Sequence, residues 1–431
     1  RALDRKLLRD LWHLRGQVLA IAAVIMGGVA TLVMSLSTYD SLVSTRDRFY
    51  AERRMADVFA NLKRAPEPLA DRLRGLPGVE QIETRVVAGV KLEVEGFSDP
   101  ITGLMISVPD RGEPLLDALH LKRGRMVAPG SAGEVVLSDT LAEAHGLGPG
   151  DTLAAIIKGK RRTLTVVGVA VSPEHIYQIA PGAMFPDFKR YGVLWTGREA
   201  LAAAYDMKGA FNDVALTLAR DADPREVIDR VDAVLDGYGG TGAYARADQL
   251  SNRFLVEELK QLRTTATLFP AIFLGIAAFL LDVVVSRLIA LQREQVAILK
   301  AFGYSNLAVG AHYVKLVMVV VLIGVGAGVA LGAWFGQGLS NVYAETTFRF
   351  PYLDYRVGPG VVLVALAISA AAAVSGTLYS VFRAARLAPA EGMRPETPTA
   401  YRATFVERIG LQRWFAAPTR MILRHVERRP V

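Results

Sequence analysis

Four long apolar runs divide this chain. Residues 18–38, VLAIAAVIMGGVATLVMSLST, carry no charge, and about 20 such residues suffice to cross a hydrocarbon core of about 30 Å. Runs at 268–290, 309–339 and 359–382 predict three more membrane helices. Between the first and second runs lie more than two hundred residues of mixed polarity, where short alternating segments replace the long apolar blocks.

Within that insert, residues 56–64 (ADVFANLKR) read as a strand, and residues 66–76 as a short helix between Pro66 and Gly75. VEQIETRVVAGVKLEVEG and ITGLMISVP are rich in β-branched residues, so a unit of strand, helix, strand and strand is expected. A second unit follows, with a strand at 211–218, an amphipathic helix at 224–235 and a short strand at 243–247. The two units are expected to pack as one α+β subdomain. Between them, GEVVLSDTLAEAHGLGPGDTLAAIIKGKRRTLTVVGVA predicts a strand, a helix stopped at Gly146, a Gly-Pro-Gly-Asp turn and two strands joined at 158–162. This gives a second, mostly β subdomain. The fold class is therefore an integral membrane α-helical protein with four transmembrane helices plus an α+β extracytoplasmic domain of two subdomains.

Orientation follows from the short flanks, because Lys and Arg near span ends are retained in the cytoplasm. Arg1, Arg5, Lys6, Arg9 and Arg15 precede the first span, Arg287, Arg293 and Lys300 join the second to the third, and Arg383, Arg386 and Arg394 follow the fourth. Both chain ends and this connection are placed inside, and the large insert outside. The opposite connection brings Tyr343, Tyr352 and Tyr355 near Trp334, the composition of an interfacial aromatic belt.

Inside the spans, Gly324, Gly328, Gly332 and Gly336 recur every fourth residue, on one helix face where another backbone can approach closely. Four in register favour a packing face over the general frequency of glycine in membrane helices, with Val320 read as facing lipid. Asp282 is the one clear intramembrane acid. Near the cytoplasmic end of its span it could reach Arg287, Lys315 or water, and it reads equally as a structural partner and as a transport element.

Composition narrows the chemistry. The chain has 431 residues, 50 Lys+Arg against 42 Asp+Glu, and no cysteine. That excludes disulfides, thiolate metal sites and a cysteine nucleophile, and no long basic run suggests nucleic acid. The histidines are scattered without metal-site spacing, so no metal is expected, and His120, His145 and His175 read as surface or loop residues. No G-x-x-x-x-G-K-[ST], G-x-S-x-G or H-E-x-x-H occurs, so neither nucleotide hydrolysis nor a catalytic residue is assigned to this chain. The chain starts at Arg1 without Met and reads as an excised piece whose first apolar run is an anchor.

After the second span, LIALQREQVAILKAF (288–302) keeps helical periodicity until Gly303, and Ser305 is placed to cap the next span. The product is a helical hairpin whose tip offers Leu291, Val296, Leu299 and Phe302 to a partner, with Arg293, Glu294 and Lys300 around them. The segment QVAILKAFG, Gln295 to Gly303, resembles the E-I-A-x-L-K-A-x-G element of the MacB/FtsX-like (type VII) ABC permeases, with Gln295 where that family usually has Glu and Glu294 just before it. The resemblance extends to the RKLLRDLWHLRGQ elbow, the VVLSDTLAEAHGLGPGDTL segment of a MacB-like periplasmic core domain, three closing spans and RAARLAPAEGMRP. It implies an amphipathic cytoplasmic elbow helix at 1–17, a first span at 18–41, a periplasmic core domain at 42–262, an FtsX-like domain at 263–390 and a cytoplasmic linker at 391–431.

The resemblance further implies a multi-pass permease of the bacterial inner membrane, one half of an ABC transport system. In that system a cytoplasmic ABC ATPase dimer holds ATP and Mg, and Glu294, Gln295, Val296, Leu299, Lys300, Phe302 and Gly303 couple to it. Its periplasmic domains would export or extract lipids, lipoproteins, peptides or amphipathic compounds, with membrane lipids and a periplasmic adaptor protein as partners. A mechanotransmitter controlling a periplasmic hydrolase and a membrane-anchored binding module are the alternatives. TRMILRHVERRPV matches the opening segment at Arg420, Ile422, Leu423 and Arg424 against Arg5, Leu7, Leu8 and Arg9. Short basic amphipathic helices often look alike, but the match favours a second permease repeat beginning there; the second permease half is expected as a partner, fused or separate.

Overall fold

The computed structural model describes residues 2–386; the linker at 391–431 and the segment matching the opening helix lie outside them. In chain order the elements are α1 (Ala2–His13), α2 (Arg15–Glu52), β1 (Val58–Pro66), α3 (Leu69–Arg74), β2 (Val79–Arg85), β3 (Val87–Val94), β4 (Phe97–Val108), β5 (His120–Gly124), β6 (Glu134–Ser138), α4 (Asp139–His145), β7 (Thr152–Ile157), β8 (Lys160–Val171), β9 (Tyr191–Gly197), α5 (Arg198–Ala204), β10 (Ala210–Leu218), α6 (Pro224–Leu235), β11 (Gly240–Ala245), α7 (Leu250–Leu291), α8 (Arg293–Ala301), α9 (Asn306–Val342) and α10 (Pro359–Ala385). Four helices among the described residues are long and apolar enough to cross a membrane. Two compact units separate among the described residues: one holds residues 2–15, 278–318 and 374–386, the other 16–277 and 319–373.

The first two membrane helices are far longer than their apolar runs. α2 has 38 residues and α7 has 42, about 57 and 63 Å at about 1.5 Å per residue, against a hydrocarbon core of about 30 Å. Both run on past the apolar run, because their polar extensions keep an apolar stripe. Leu42 and Phe49 of α2 meet Leu255, Leu259 and Leu262 of α7, together with Phe348 and Phe350, in one buried cluster. The boundary between span and aqueous domain therefore falls inside continuous helices.

The insert forms two sheets. The smaller has the order β11-β1-β10-β2, all antiparallel, and its apolar face packs against α3 and α6 through Leu69, Leu73, Val227, Val231 and Leu235. The larger has the order β5-β8-β6-β9-β4-β3-β7, and an added β7–β8 pairing closes it on itself. Its core contains Met105, Leu137, Leu141, Leu153, Leu164 and Leu194. The β7–β8 turn places Lys158 and Gly159 at φ 48° and 77°, the left-handed geometry of a tight hairpin. Gly146 caps α4 at φ 65°.

One expectation fails here. The segments grouped as strand, helix, strand and strand do not share a sheet: β1, α3 and β2 stay with the smaller one, while β3 and β4 pair with β7 and β9 in the larger. Alternation reports which faces are buried, not which sheet a strand joins.

Candidate functional site

The first unit is organised around the connection from α7 to α9. The helical periodicity expected through 288–302 is broken at Gln292, whose φ of −101° and ψ of 14° end α7 before α8 begins. Its side chain is fully engaged. Oε1 accepts from Lys6 Nζ at 2.5 Å and from Tyr313 OH at 3.4 Å, and Nε2 donates to Asp10 Oδ1 at 3.0 Å. Asp10, 6% exposed, also meets Lys6 Nζ at 2.6 Å and lies 3.6 Å from His312 Nε2. Nothing in the local periodicity signals this break, because its partners come from α1 and α9.

Beyond α8, Gly303 sits at φ 90°, where a side chain would be strained, and Ser305 Oγ accepts from the Ala308 N–H at 3.2 Å to cap α9. The turn leaves a knob of unburied apolar side chains: Leu291 at 75%, Ile298 at 41%, Phe302 at 81% and Leu307 at 83% exposure. Glu294 and Gln295 are exposed, and Leu299 and Lys300 half-buried. Val296, expected on this surface, is 2% exposed and turned into the unit's own packing. Ile298 and Leu307 replace it. Leu307 escaped notice because it lies beyond the helix stop, on the first turn of α9. Exposed large apolar side chains gathered in one short connection are candidates for contact with a partner or with lipid.

Asp282 Oδ1 accepts from Ser380 Oγ at 2.5 Å, and Ser380 Oγ lies 2.7 Å from Ser286 Oγ. The partner given to the acid is thus a hydroxyl on α10, which the reading of Arg287 and Lys315 as partners did not foresee. Serine can donate to a carboxylate at this depth without adding a second charge.

The glycines of α9 lie against α2. A β-carbon on Gly324, Gly328 or Gly332 would come within 2.8, 2.7 and 2.8 Å of the Cβ atoms of Ile25, Val29 and Val33, and within 3.0, 3.0 and 2.7 Å of backbone oxygens of Ala22, Met26 and Ala30. Gly336 differs: its neighbour is the Tyr355 ring, and its carbonyl accepts from Thr38 Oγ1 at 3.3 Å. Val320 is 1% exposed and does not face lipid. It stands one turn before Gly324, on the same stripe.

A buried ionic cluster in the insert was invisible in the sequence. Arg85 Nε is 2.6 Å from Asp213 Oδ1, and its Nη1 lies 2.6 Å from Glu174 Oε2 and 3.7 Å from Asp117 Oδ2. Burial opposes the guanidinium charge, but the carboxylates outweigh it and hold Arg85 protonated. Burial and then the Glu174 charge push Asp117 up to about 8, and burial raises Asp213. For Glu174 burial works upward, yet Arg85 brings it below the ordinary value. His175, read as a surface or loop residue, is largely buried, 4.0 Å from Glu174, and burial lowers its pKa. Among the described residues no group of His, Cys, Asp and Glu could hold a metal ion.

Comparison with known proteins gives two family matches: the MacB-like periplasmic core domain over residues 18–234 and the FtsX-like permease C-terminal domain over residues 267–389. An uncharacterized ABC transporter permease protein of Mycobacterium tuberculosis is 25% identical over 264 residues, covering 60% of this chain and 29% of that protein. The chain thus spans under a third of that relative's length. Similar solved structures include the extracellular domain of the noncanonic ABC-type transporter YknZ from Gram-positive bacteria (14% identity, 44% of this chain and 98% of that one, TM-score 0.30) and the periplasmic region of MacB from Actinobacillus actinomycetemcomitans (13% identity, 47% and 91%, TM-score 0.29).

Proposed function

The chain belongs to the ABC transporter permeases that join a MacB-like periplasmic core domain to an FtsX-like C-terminal domain, and from that premise we propose that it is one half of a permease driven by a separate ABC ATPase. ATP and Mg are held by that ATPase dimer, which docks on the knob at α8. The spans carry its motion to the periplasmic domain, which moves a lipid, lipoprotein, peptide or amphipathic compound on the outer side. A second permease half completes the membrane part.

The observation that carries this reading is the pair Phe302 and Leu307, 81% and 83% exposed on either side of the Gly303 turn. Apolar side chains so exposed at a short loop between two spans are not buried by packing among the described residues, and Glu294 and Gln295, on the same short connection, are exposed as well. The test is the double substitution Phe302→Asp and Leu307→Asp, which would bury unpaired charge in the contact at a cost of about 3–5 kcal/mol. ATPase co-purification and transport-coupled turnover are expected to fall while membrane insertion is retained; Lys160→Asp, in an exposed hairpin of the insert, serves as control. Normal ATPase association in the double variant would sink the reading.

A further inference from the structure

The chain passes from the smaller sheet to the larger between Arg85, which ends β2, and Val87, which begins β3. At that crossing Arg85 gathers one carboxylate from the smaller sheet, Asp213 on β10, and two from the larger subdomain: Glu174, on the 3-10 turn after β8, and Asp117, on the link from β4 to β5. The side chains of all four are at most 10% exposed.

The same residues reach the outer ends of both long helices. Asp117 Oδ1 accepts from the Ala56 N–H at 3.2 Å and its own N–H donates to the Arg54 carbonyl at 3.0 Å, just past the end of α2. The Glu174 carbonyl accepts from Gln249 Nε2 at 2.7 Å, one residue before α7, and Tyr50 OH donates to Asn252 Oδ1 at 3.0 Å to tie α2 to α7. Both helix ends and both subdomains are thus tied through the residues that Arg85 gathers.

The charges do not balance. One guanidinium faces three carboxylates, and an uncompensated buried carboxylate is strongly disfavoured. Asp117 Oδ2 is buried without a hydrogen-bond partner, which makes it the oxygen able to carry a proton. We propose that the Arg85 cluster is a proton-dependent joint, locking the two subdomains to the ends of α2 and α7 while Asp117 is protonated and releasing them when that proton leaves. The titratable groups that face Asp117 are Arg85 on β2, Asp213 on β10, Glu174 on the 3-10 turn, Tyr50 on α2 and Tyr244 on β11, with His175 beyond Glu174. Of these Arg85 is the permanent cation, and burial lowers the pKa of His175. The displacement of Asp117 to about 8 agrees with the geometry. Because the outer side of a membrane follows the pH of the surroundings, the joint would make the domain's rigidity respond to external pH. Its part in transmitting motion rests on the proposed function; its dependence on a proton does not.

The absence of cysteine from the chain allows a direct test. Spin labels on Arg72→Cys in α3 and Lys160→Cys in β8, both exposed, report the distance between subdomains in the full chain in lipid nanodiscs. The wild-type background should give one narrow distance distribution at pH 6 and a broad or shifted one at pH 9.5, with a midpoint near 8. Asp117→Asn, which keeps an acceptor for Ala56 and cannot ionise, should stay narrow throughout. Glu174→Gln, which removes the neighbouring negative charge, should move the midpoint to lower pH. A distribution unchanged with pH in the wild-type background, or an Asp117→Asn response matching it, would overturn the joint. Loss of the ATPase-docking result with this response intact would remove the proposed function alone.

Discussion

Gln292 Nε2 donates to Asp10 Oδ1 across 3.0 Å, fastening the N-terminal amphipathic helix to the break between α7 and α8. Asp10 is buried and shares Lys6 with Gln292, so α1 orients α8 through side chains and not through the chain connection. Asp10→Ala should leave Gln292 Nε2 without its acceptor and Lys6 with Gln292 Oε1 alone, and lower ATP turnover per complex severalfold, with ATPase affinity little changed. Asp10→Asn, which can still accept from Gln292, should recover part of the loss. If affinity falls in step with turnover, the clamp is part of the docking surface and not a positioning device.

At the glycine ridge, a leucine on Gly328 must displace Val29 or the Met26 carbonyl, which a β-carbon would approach to 2.7 and 3.0 Å. Gly328→Leu is expected to lower the melting temperature of the detergent-solubilised protein by several degrees. The matched control is Ile323→Leu, at a position 48% exposed, which should melt like the parent. Equal melting of the two variants would remove the packing role.

Topology can be read with single cysteines, since the chain has none. Glu113→Cys in the insert and Gln295→Cys on α8, both exposed, should react with a membrane-impermeant maleimide from opposite faces: Glu113→Cys in intact spheroplasts, Gln295→Cys only after lysis. Labelling of both in intact spheroplasts would overturn the assignment made from the basic flanks.

The buried acid also predicts a stability profile. Asp117 has a folded pKa of about 8, above the 3.8 of a free aspartate, so between these values the folded state binds more protons than the unfolded one. Its contribution to stability is then greatest at acid pH and declines as pH rises toward 8. Asp117→Asn removes that slope, and the gap between variant and parent in thermal melts should widen from pH 5 to pH 8. A constant gap would show that Asp117 does not titrate in this range.

Much of the molecule was legible in one dimension. The four spans, the two subdomains, the Gly146 and Gly303 stops and the Ser305 cap depend on local composition: about 20 apolar residues in a row, or a residue whose backbone or hydroxyl suits a helix end. The hairpin was placed correctly in the chain, but its outward face was not. Helical periodicity was projected straight through Gln292, so Val296 was turned outward and Leu307 overlooked. Val320 was misread for a simpler reason, since it shares the Gly324 stripe at four-residue spacing.

Local chemistry alone therefore determined what kind of protein this is: a membrane-anchored chain carrying an aqueous two-part domain, with apolar residues at a short inter-span turn. It could not determine partners distant along the chain. Arg85, Asp117, Glu174 and Asp213 are unremarkable charged residues in sequence, separated by up to 128 positions for the Arg85 and Asp213 pair, and Lys6 and Gln292 stand 286 apart. Only folding brings them together, and only burial makes their charges matter, because removal of water turns an ordinary carboxylate into one that must be paired or protonated. Which sheet received β3 and how far α2 and α7 ran beyond the membrane were settled the same way, by long-range burial that no local pattern encodes.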